Sequence, residues 1–283
     1  MEEITVFQQE QEIERLGVQE DLFSPYEQPV YEEVFARPKR FVLDIGANDG
    51  RKMVSRFSNP SIQKVIGLEY NAELVQLARE NCADGRFSFY HFDVEDRSFV
   101  PRLKEMMEEQ SIPGFDVIHL SFVLMHLRDP AALLEKLKML LMPKGMLMVM
   151  DVNDELSAIT PDQGGRFSQF KRFLQLDPCA GDRICAKKMP KLLERLGYQN
   201  ISLKWEKLAA SPGETKKKQA MFAVFCSYLQ EDMKMLRDQD TDNLDYIRCE
   251  DWLERNYAAL RQDALSRDTA FSLGVSMIVC TGE

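Results

Sequence analysis

Arg40-Phe41-Val42-Leu43-Asp44-Ile45-Gly46-Ala47-Asn48-Asp49-Gly50 is the stretch whose reading decides the fold. A short apolar run ends in an acid and then breaks into a turn of Gly, Asn and Gly. An apolar run of that length bounded by glycine predicts a buried parallel strand. The turn needs residues that accept positive φ or let a ligand approach the backbone. Gly46 and Gly50 do so without steric cost, and Asn48 is the next-best residue type. Val54 and Phe57 among polar residues predict a short helix whose free N–H groups point back at the turn, where a carboxylate or phosphate can bind.

Working outward, Lys64-Val65-Ile66-Gly67-Leu68-Glu69 reads as a second strand, with its closing acid 19 residues past Gly50. An acid at that separation, on the tip of the second strand, suits bidentate hydrogen bonding to two ribose hydroxyls. Tyr70 follows and can lie against an adenine face, and Asn71 is placed to cap a helix carrying Leu74, Leu77 and Ala78. Phe87–Val94 alternates as a third strand ending at Asp93. Phe115–Ser121 forms a fourth, running into Phe122-Val123-Leu124-Met125-His126-Leu127-Arg128-Asp129-Pro130. A helix over Ala131–Leu141, the turn Met142-Pro143-Lys144-Gly145 and a strand over Met146–Asp151 complete five βα units across 40–151, with acids closing strands one, two, three and five.

Asp44-Ile45-Gly46-Ala47-Asn48-Asp49-Gly50 resembles the first motif of the class I S-adenosylmethionine (SAM)-dependent methyltransferases, D/E-x-G-x-G-x-G, with Asn48 in place of the middle glycine. Nicotinamide-binding proteins want G-x-G-x-x-G instead, and the spacing here is G-x-x-x-G. The run after the fourth strand resembles the family's fourth motif in small-molecule enzymes. Met142-Pro143-Lys144-Gly145 is similar to the turn before its fifth strand, with Lys144 replacing one glycine. The resemblance implies a doubly wound, seven-stranded, mostly parallel α/β sheet of the Rossmann-like methyltransferase type, with SAM as cofactor. It implies that Asp93 accepts from the adenine amino group while the Val94 N–H meets a ring nitrogen. The cofactor set expected on this reading is Asp44, Gly46, Ala47, Asn48, Gly50, Glu69, Tyr70, Asp93, Val94 and Ser121.

On either side of this core the chain is more individual. Residues 5–37 are polar and helix-prone, with Val6, Ile13, Leu16, Val18, Leu22 and Phe23 as apolar positions and Pro25, Pro29 and Pro38 as punctuation. Residues 1–39 are read as an N-terminal helical lid, or as a helix packed outside the sheet. Phe167, Phe170, Phe173 and Leu174 mark a helix whose aromatic stripe reads as core before pocket, and Met189–Leu196 forms another, stopped by Gly197. Ile201, Leu203 and Trp205 alternate as strand six, and Phe271–Cys280 is strand seven. The methyltransferase core thus covers 40–207 and 269–283. Residues 208–268 are expected to be a two-helix insertion and the acceptor-side cap, with Phe222, Phe225, Tyr228, Trp252 and Tyr257 lining an apolar pocket.

The 283 residues suffice for a sizeable core, and 45% hydrophobic with 29% charged residues describes a globular chain. A net charge of −10 disfavours nucleic acid and anionic membranes as partners. Lys216-Lys217-Lys218, the local exception, reads as a solvated loop. The six cysteines lack any C-x-x-C pair, and the acidic start Met1-Glu2-Glu3-Ile4 does not resemble a signal peptide, so a reduced, cytoplasmic setting is expected, with the protein a monomer or homodimer.

Methyl transfer depends on holding acceptor and methyl in near-attack geometry with water excluded, so it needs no fixed triad. His126, just past the fourth strand, is the candidate general base, or a structural contact under the cofactor; His119 and His91 lie inside strands and read as core. No resident metal is expected, although Asp151, Asn153 and Asp154 supply the oxygens a magnesium-dependent enzyme would use. Ser121-Phe122-Val123-Leu124 stands where enzymes that methylate exocyclic amines of bases or glutamine carry Asn/Asp-Pro-Pro-Tyr/Phe, which favours a small-molecule acceptor attacked at O, N or C. Three alternatives remain: a catalytically silent SAM-binding regulator, a methyltransferase acting on a protein side chain, and an aminopropyl transferase on the same fold.

Overall fold

The computed structural model describes residues 10–283, with side chains described from Arg15 onward. The readings of the acidic start, of Val6 and of the Ile13 side chain lie outside the described residues. In chain order the elements are α1 (Glu10–Val34), β1 (Phe41–Ile45), α2 (Arg51–Arg56), β2 (Lys64–Glu69), α3 (Ala72–Asn81), β3 (Phe87–His91), α4 (Phe99–Glu109), β4 (Phe115–Ser121), α5 (Pro130–Lys138) and β5 (Leu141–Val152). There follow β6 (Ala158–Thr160), α6 (Arg166–Leu174), α7 (Cys185–Arg195), β7 (Gln199–Trp205), β8 (Leu208–Ala210), α8 (Thr215–Cys226), α9 (Leu229–Gln239), α10 (Leu244–Leu265), β9 (Ala270–Leu273) and β10 (Val275–Thr281).

Local chemistry accounts for many of these boundaries. All five residues of β1 are buried, as a central strand covered on both faces requires. The Asn71 side chain accepts from the Glu73 and Leu74 N–H groups and starts α3. Asp129 caps α5 through the Ala132 N–H, with Pro130 in the first turn, where its missing N–H is not needed.

The described chain forms two units. One comprises Glu27–Val152, Cys185–Trp205 and Ser276–Glu283; the other comprises the described part of Met1–Tyr26 together with Asn153–Ile184 and Glu206–Val275. The first holds a seven-stranded sheet of order β3-β2-β1-β4-β5-β10-β7. Its β3-β2-β1-β4-β5 portion is parallel throughout, and β10 runs antiparallel to β7. This is the doubly wound sheet expected from the sequence.

The second unit contains a three-stranded antiparallel sheet, β6-β9-β8, which the sequence reading did not foresee. Its outer strands have three residues each, too short for alternation to register. The expected seventh strand, Phe271–Cys280, is two strands in two sheets, divided at Gly274. A Cβ there would sit 1.8 Å from the Asn153 carbonyl oxygen, while the Asn153 N–H donates to the Gly274 carbonyl at 2.9 Å. Gly274, an isolated glycine inside a strand pattern, is the sequence signal of such a close backbone approach, and the sequence reading passed over it. Residues 153–184 group with 206–275, whereas the sequence reading kept them with the core.

Residues 208–268 hold three helices, not two, because Ser227 and Tyr228 separate α8 from α9 within what reads as one apolar periodicity. The lysine run opens α8 and is no solvated loop. Lys218 is fully buried, its ammonium donating to the Ser266 and Thr269 carbonyls, and Lys217 donates to the Tyr26 hydroxyl at 2.9 Å. The α6 stripe is core, as expected: Phe167, Phe170 and Leu174 are buried, and Phe167 packs on Phe225 and Phe271.

Candidate functional site

The site begins where β1 ends. Gly46, Asn48 and Gly50 all take positive φ, at 78°, 51° and 77°. The turn therefore needs left-handed backbone at three alternate positions, and asparagine is the L residue best able to replace glycine at the middle one. Gly46 and Ala47 donate N–H bonds to the Leu68 carbonyl at 2.9 and 3.0 Å, fastening the turn to the end of β2. A Cβ on Gly46 would meet Val123 at 2.6 Å, and one on Gly50 would meet the Phe89 ring at 2.7 Å, so both glycines are required by space as well as by φ. The helix after the turn, α2, is only six residues long.

Glu69 closes β2 and reaches across to this turn. One carboxylate oxygen accepts the Asn48 N–H at 3.0 Å, and the other accepts the Asn71 N–H at 3.0 Å. Its carboxyl is pushed above the usual glutamate range, first by desolvation, with the backbone bonds pulling the other way. The Tyr70 backbone N–H is a third donor to the same carboxylate. Tyr70 beside it is exposed and tilts against the His91 ring at 6.4 Å.

The third strand stops at His91, two residues before the expected end, and Asp93 stands in the turn beyond it, its carboxylate accepting the Glu95 N–H at 2.8 Å. Val94 is buried next to it. Ser121 ends β4 and is half-buried. The next residue, Phe122, has φ of 55°, which costs an L residue roughly 1–2 kcal/mol. Its N–H is held by the Met150 carbonyl at 2.8 Å. His126 is exposed at the end of the short 3-10 turn Leu124–His126.

Asp44 behaves differently from the other acids. It is buried, and its Oδ1 lies 2.6 Å from Nδ1 of the fully buried His119, whose Nε2 lies 2.9 Å from the Tyr31 hydroxyl. The reading of His119 as a core residue holds for its burial but missed this partnership. The signal was weak: Asp44 and His119 are register partners on β1 and β4, and register is not visible in sequence.

Of the three residues considered for magnesium, the two acids are engaged elsewhere, while Asn153 Oδ1 is buried without a hydrogen-bond partner among the described residues. Asp151 accepts the Met125 N–H at 3.1 Å and the Val152 N–H at 2.9 Å. Asp154 is paired with the buried Arg183 at 2.7 and 3.1 Å. Among the described residues no group of three or more His, Cys, Asp or Glu side chains is placed to hold a metal ion, and no helix is long and apolar enough to cross a membrane.

The donor set fits SAM. Its ribose diol suits a carboxylate oriented by backbone N–H groups, as Glu69 is, and its ammonium suits a buried acid such as Asp44. Close approach matches the Cβ-free positions of the turn.

Comparison with known proteins agrees. The methyltransferase domain model matches residues 18–203, more than half of the 283-residue chain. Comparison with curated proteins returns no match. Among solved structures, the YcgJ protein of Bacillus subtilis is similar at TM-score 0.53 and 15% identity, covering 91% of this chain and 98% of its own. A putative methyltransferase of Bacillus halodurans C-125 is similar at TM-score 0.51 and 12% identity, covering 93% and 98%. Phosphoethanolamine N-methyltransferase 2 of Haemonchus contortus, solved with phosphomonomethylethanolamine and S-adenosylhomocysteine, is similar at TM-score 0.53 and 12% identity, covering 93% and 56%. At such identities the solved structures speak for the fold, and the domain model speaks for the family. The chain belongs to the methyltransferase domain family and is a SAM-dependent methyltransferase.

Proposed function

We propose that this protein transfers a methyl group to an O, N or C atom of a small-molecule acceptor. The observation that carries the cofactor half of this reading is Glu69, its two carboxylate oxygens held by the Asn48 and Asn71 N–H groups at the mouth of the left-handed turn. When bound, SAM supplies an electrophilic methyl carbon on a sulfonium. Around it Glu69 takes the ribose, Asp93 and Val94 the adenine, with Tyr70 against the ring. Asp44, Gly46, Ala47, Asn48, Gly50 and Ser121 border the remainder. His126, exposed beyond β4, is the group we assign to take a proton from the acceptor.

The small-molecule half is supported by the net charge of −10 and by Ser121-Phe122-Val123-Leu124 at the tip of β4, which lacks the amine-recognition motif of base and glutamine enzymes. We assign acceptor choice to the helices of 208–268, where Trp252 packs on Phe173 at 5.4 Å and Tyr257 on Phe222 at 5.5 Å. A reduced, cytoplasmic setting agrees with the cysteines being thiols, not disulfides.

Two measurements test the reading. Calorimetry should give S-adenosylhomocysteine (SAH) binding and far weaker NAD binding; tight NAD binding without SAH binding would refute it. Incubation with methyl-labelled SAM and fractionated cell extract should put label into the small-molecule fraction. Label confined to protein would move the acceptor to a side chain, and binding without any labelling would favour the silent regulator.

A further inference from the structure

A buried hydrogen-bonded chain runs from α1 to the end of β1, and neither the glycine turn nor the acceptor chemistry uses it. Tyr31 of α1 places its hydroxyl 2.9 Å from His119 Nε2, and His119 Nδ1 lies 2.6 Å from Asp44 Oδ1. His119 is fully buried, Asp44 is 3% exposed and Tyr31 4%. The imidazole edge meets Phe57, with ring centroids 5.6 Å apart, and Tyr31 closes the cage at 5.8 Å. The other charged groups nearby are Arg56 and Glu27, paired with each other at 3.2 Å, and Arg56 lies within electrostatic reach of both Tyr31 and Asp44.

A carboxylate can only accept, so the nitrogen facing Asp44 carries the hydrogen. The Tyr31 hydroxyl on the opposite nitrogen fixes how the ring is turned. Asp44 Oδ1 is thereby engaged by His119, and the second oxygen, outside that contact, is left as the negative pole one residue short of the Gly46 turn.

We propose that His119, oriented by Tyr31, is a positioning residue: it holds the Asp44 carboxylate so that one oxygen stays available to the ammonium of the cofactor's amino-acid arm. α1 thus contributes to cofactor affinity through Tyr31. The inference rests on Asp44 lying in the SAM site, as proposed above. Groups that bind the nucleoside, Glu69 and Asp93, are not in this chain.

Two ligands separate positioning from general structural support. SAH carries the ammonium arm; methylthioadenosine has the same nucleoside and sulfur but no amino acid. His119→Leu removes the donor to Asp44 and should weaken SAH at least about tenfold, the scale of one charge-assisted bond, while methylthioadenosine affinity changes less than about twofold. His119→Asn places an amide N–H near the Nδ1 position and should restore SAH to within about threefold of wild type. Tyr31→Phe, which deletes one oxygen, should weaken SAH about three- to tenfold and leave methylthioadenosine unchanged; it carries the test alone if His119→Leu does not fold. Wild-type protein that binds both ligands, with folded variants that weaken neither or weaken both equally, overturns the positioning role and leaves the methyltransferase reading standing. Wild-type protein that binds neither ligand overturns both.

Discussion

Replacing Glu69 tests the site most directly, because its carboxylate joins the backbone of the turn to the ribose diol assigned to it. The Asn48 and Asn71 N–H bonds lie at 3.0 Å each, and the Tyr70 N–H adds a third. Two more are the charge-assisted bonds assigned to the ribose hydroxyls, each about 1.5–3 kcal/mol before water compensates. Glu69→Ala removes them all, and the half-buried setting lets water repair part of the loss. A net of at least about 1.4 kcal/mol remains, so the SAH dissociation constant should rise tenfold or more. Glu69→Gln keeps one acceptor oxygen but turns an NH2 toward one of the backbone donors, so it should not rescue fully.

The pH dependence of the same residue has a defined sign. Because desolvation raises its pKa, Glu69 takes up its proton at a higher pH than an ordinary glutamate. SAH affinity should be flat above that raised value and fall as pH drops through it, a loss absent from Glu69→Gln. Stability of the free protein runs the other way. A folded pKa above the unfolded one gives a contribution that is full below the unfolded value and is lost as pH rises through the folded value. Calorimetry from below the ordinary glutamate value upward, paired with melting curves over the same range, separates the two. A folded Glu69→Ala protein with an unchanged SAH dissociation constant would show that another acid holds the ribose.

Three further outcomes follow from named contacts. Asn48→Gly should leave SAH affinity within about threefold, since glycine takes the 51° φ freely, whereas Gly46→Ala puts a methyl 2.6 Å from Val123 at positive φ and should abolish detectable binding in calorimetry. Gly274→Ala brings Cβ to 1.8 Å from the Asn153 backbone oxygen and should cost about 3 kcal/mol or more, read as a large drop in melting temperature or insoluble protein. Arg183→Met strands the buried Asp154 carboxylate and should destabilise by about 3–5 kcal/mol by urea titration, with Asp154→Asn recovering part of it.

How much of this was legible depended on the range of each interaction. The left-handed turn was readable because φ preference is a property of single residues, and Gly46, Asn48 and Gly50 announce it one by one. The acid at Glu69 was readable because the length of a βα unit fixes where the second strand ends. Caps at Asn71 and Asp129 act within three residues of themselves. The strand limits of β3 and β5, by contrast, shifted by one to several residues, because pairing partners decide where a ladder stops.

Sequence alone thus determined the parallel sheet, the order of its motifs and the acids in and just beyond the strand ends through local preference and fixed spacing, and the cofactor class through the resemblance of those motifs to the methyltransferases. Tertiary structure alone decided the rest. The Asp44–His119–Tyr31 chain depends on β1–β4 register, and a shift of one residue would turn His119 to the opposite face. Gly274 is a break only because a backbone more than one hundred residues earlier in the chain passes it at close range. Lys218 reads as one of three solvated lysines, yet it is buried with its ammonium on the Ser266 and Thr269 carbonyls, 48 and 51 residues further along the chain. Each of these is a contact between distant segments, and its energy appears only once the chain has brought them together.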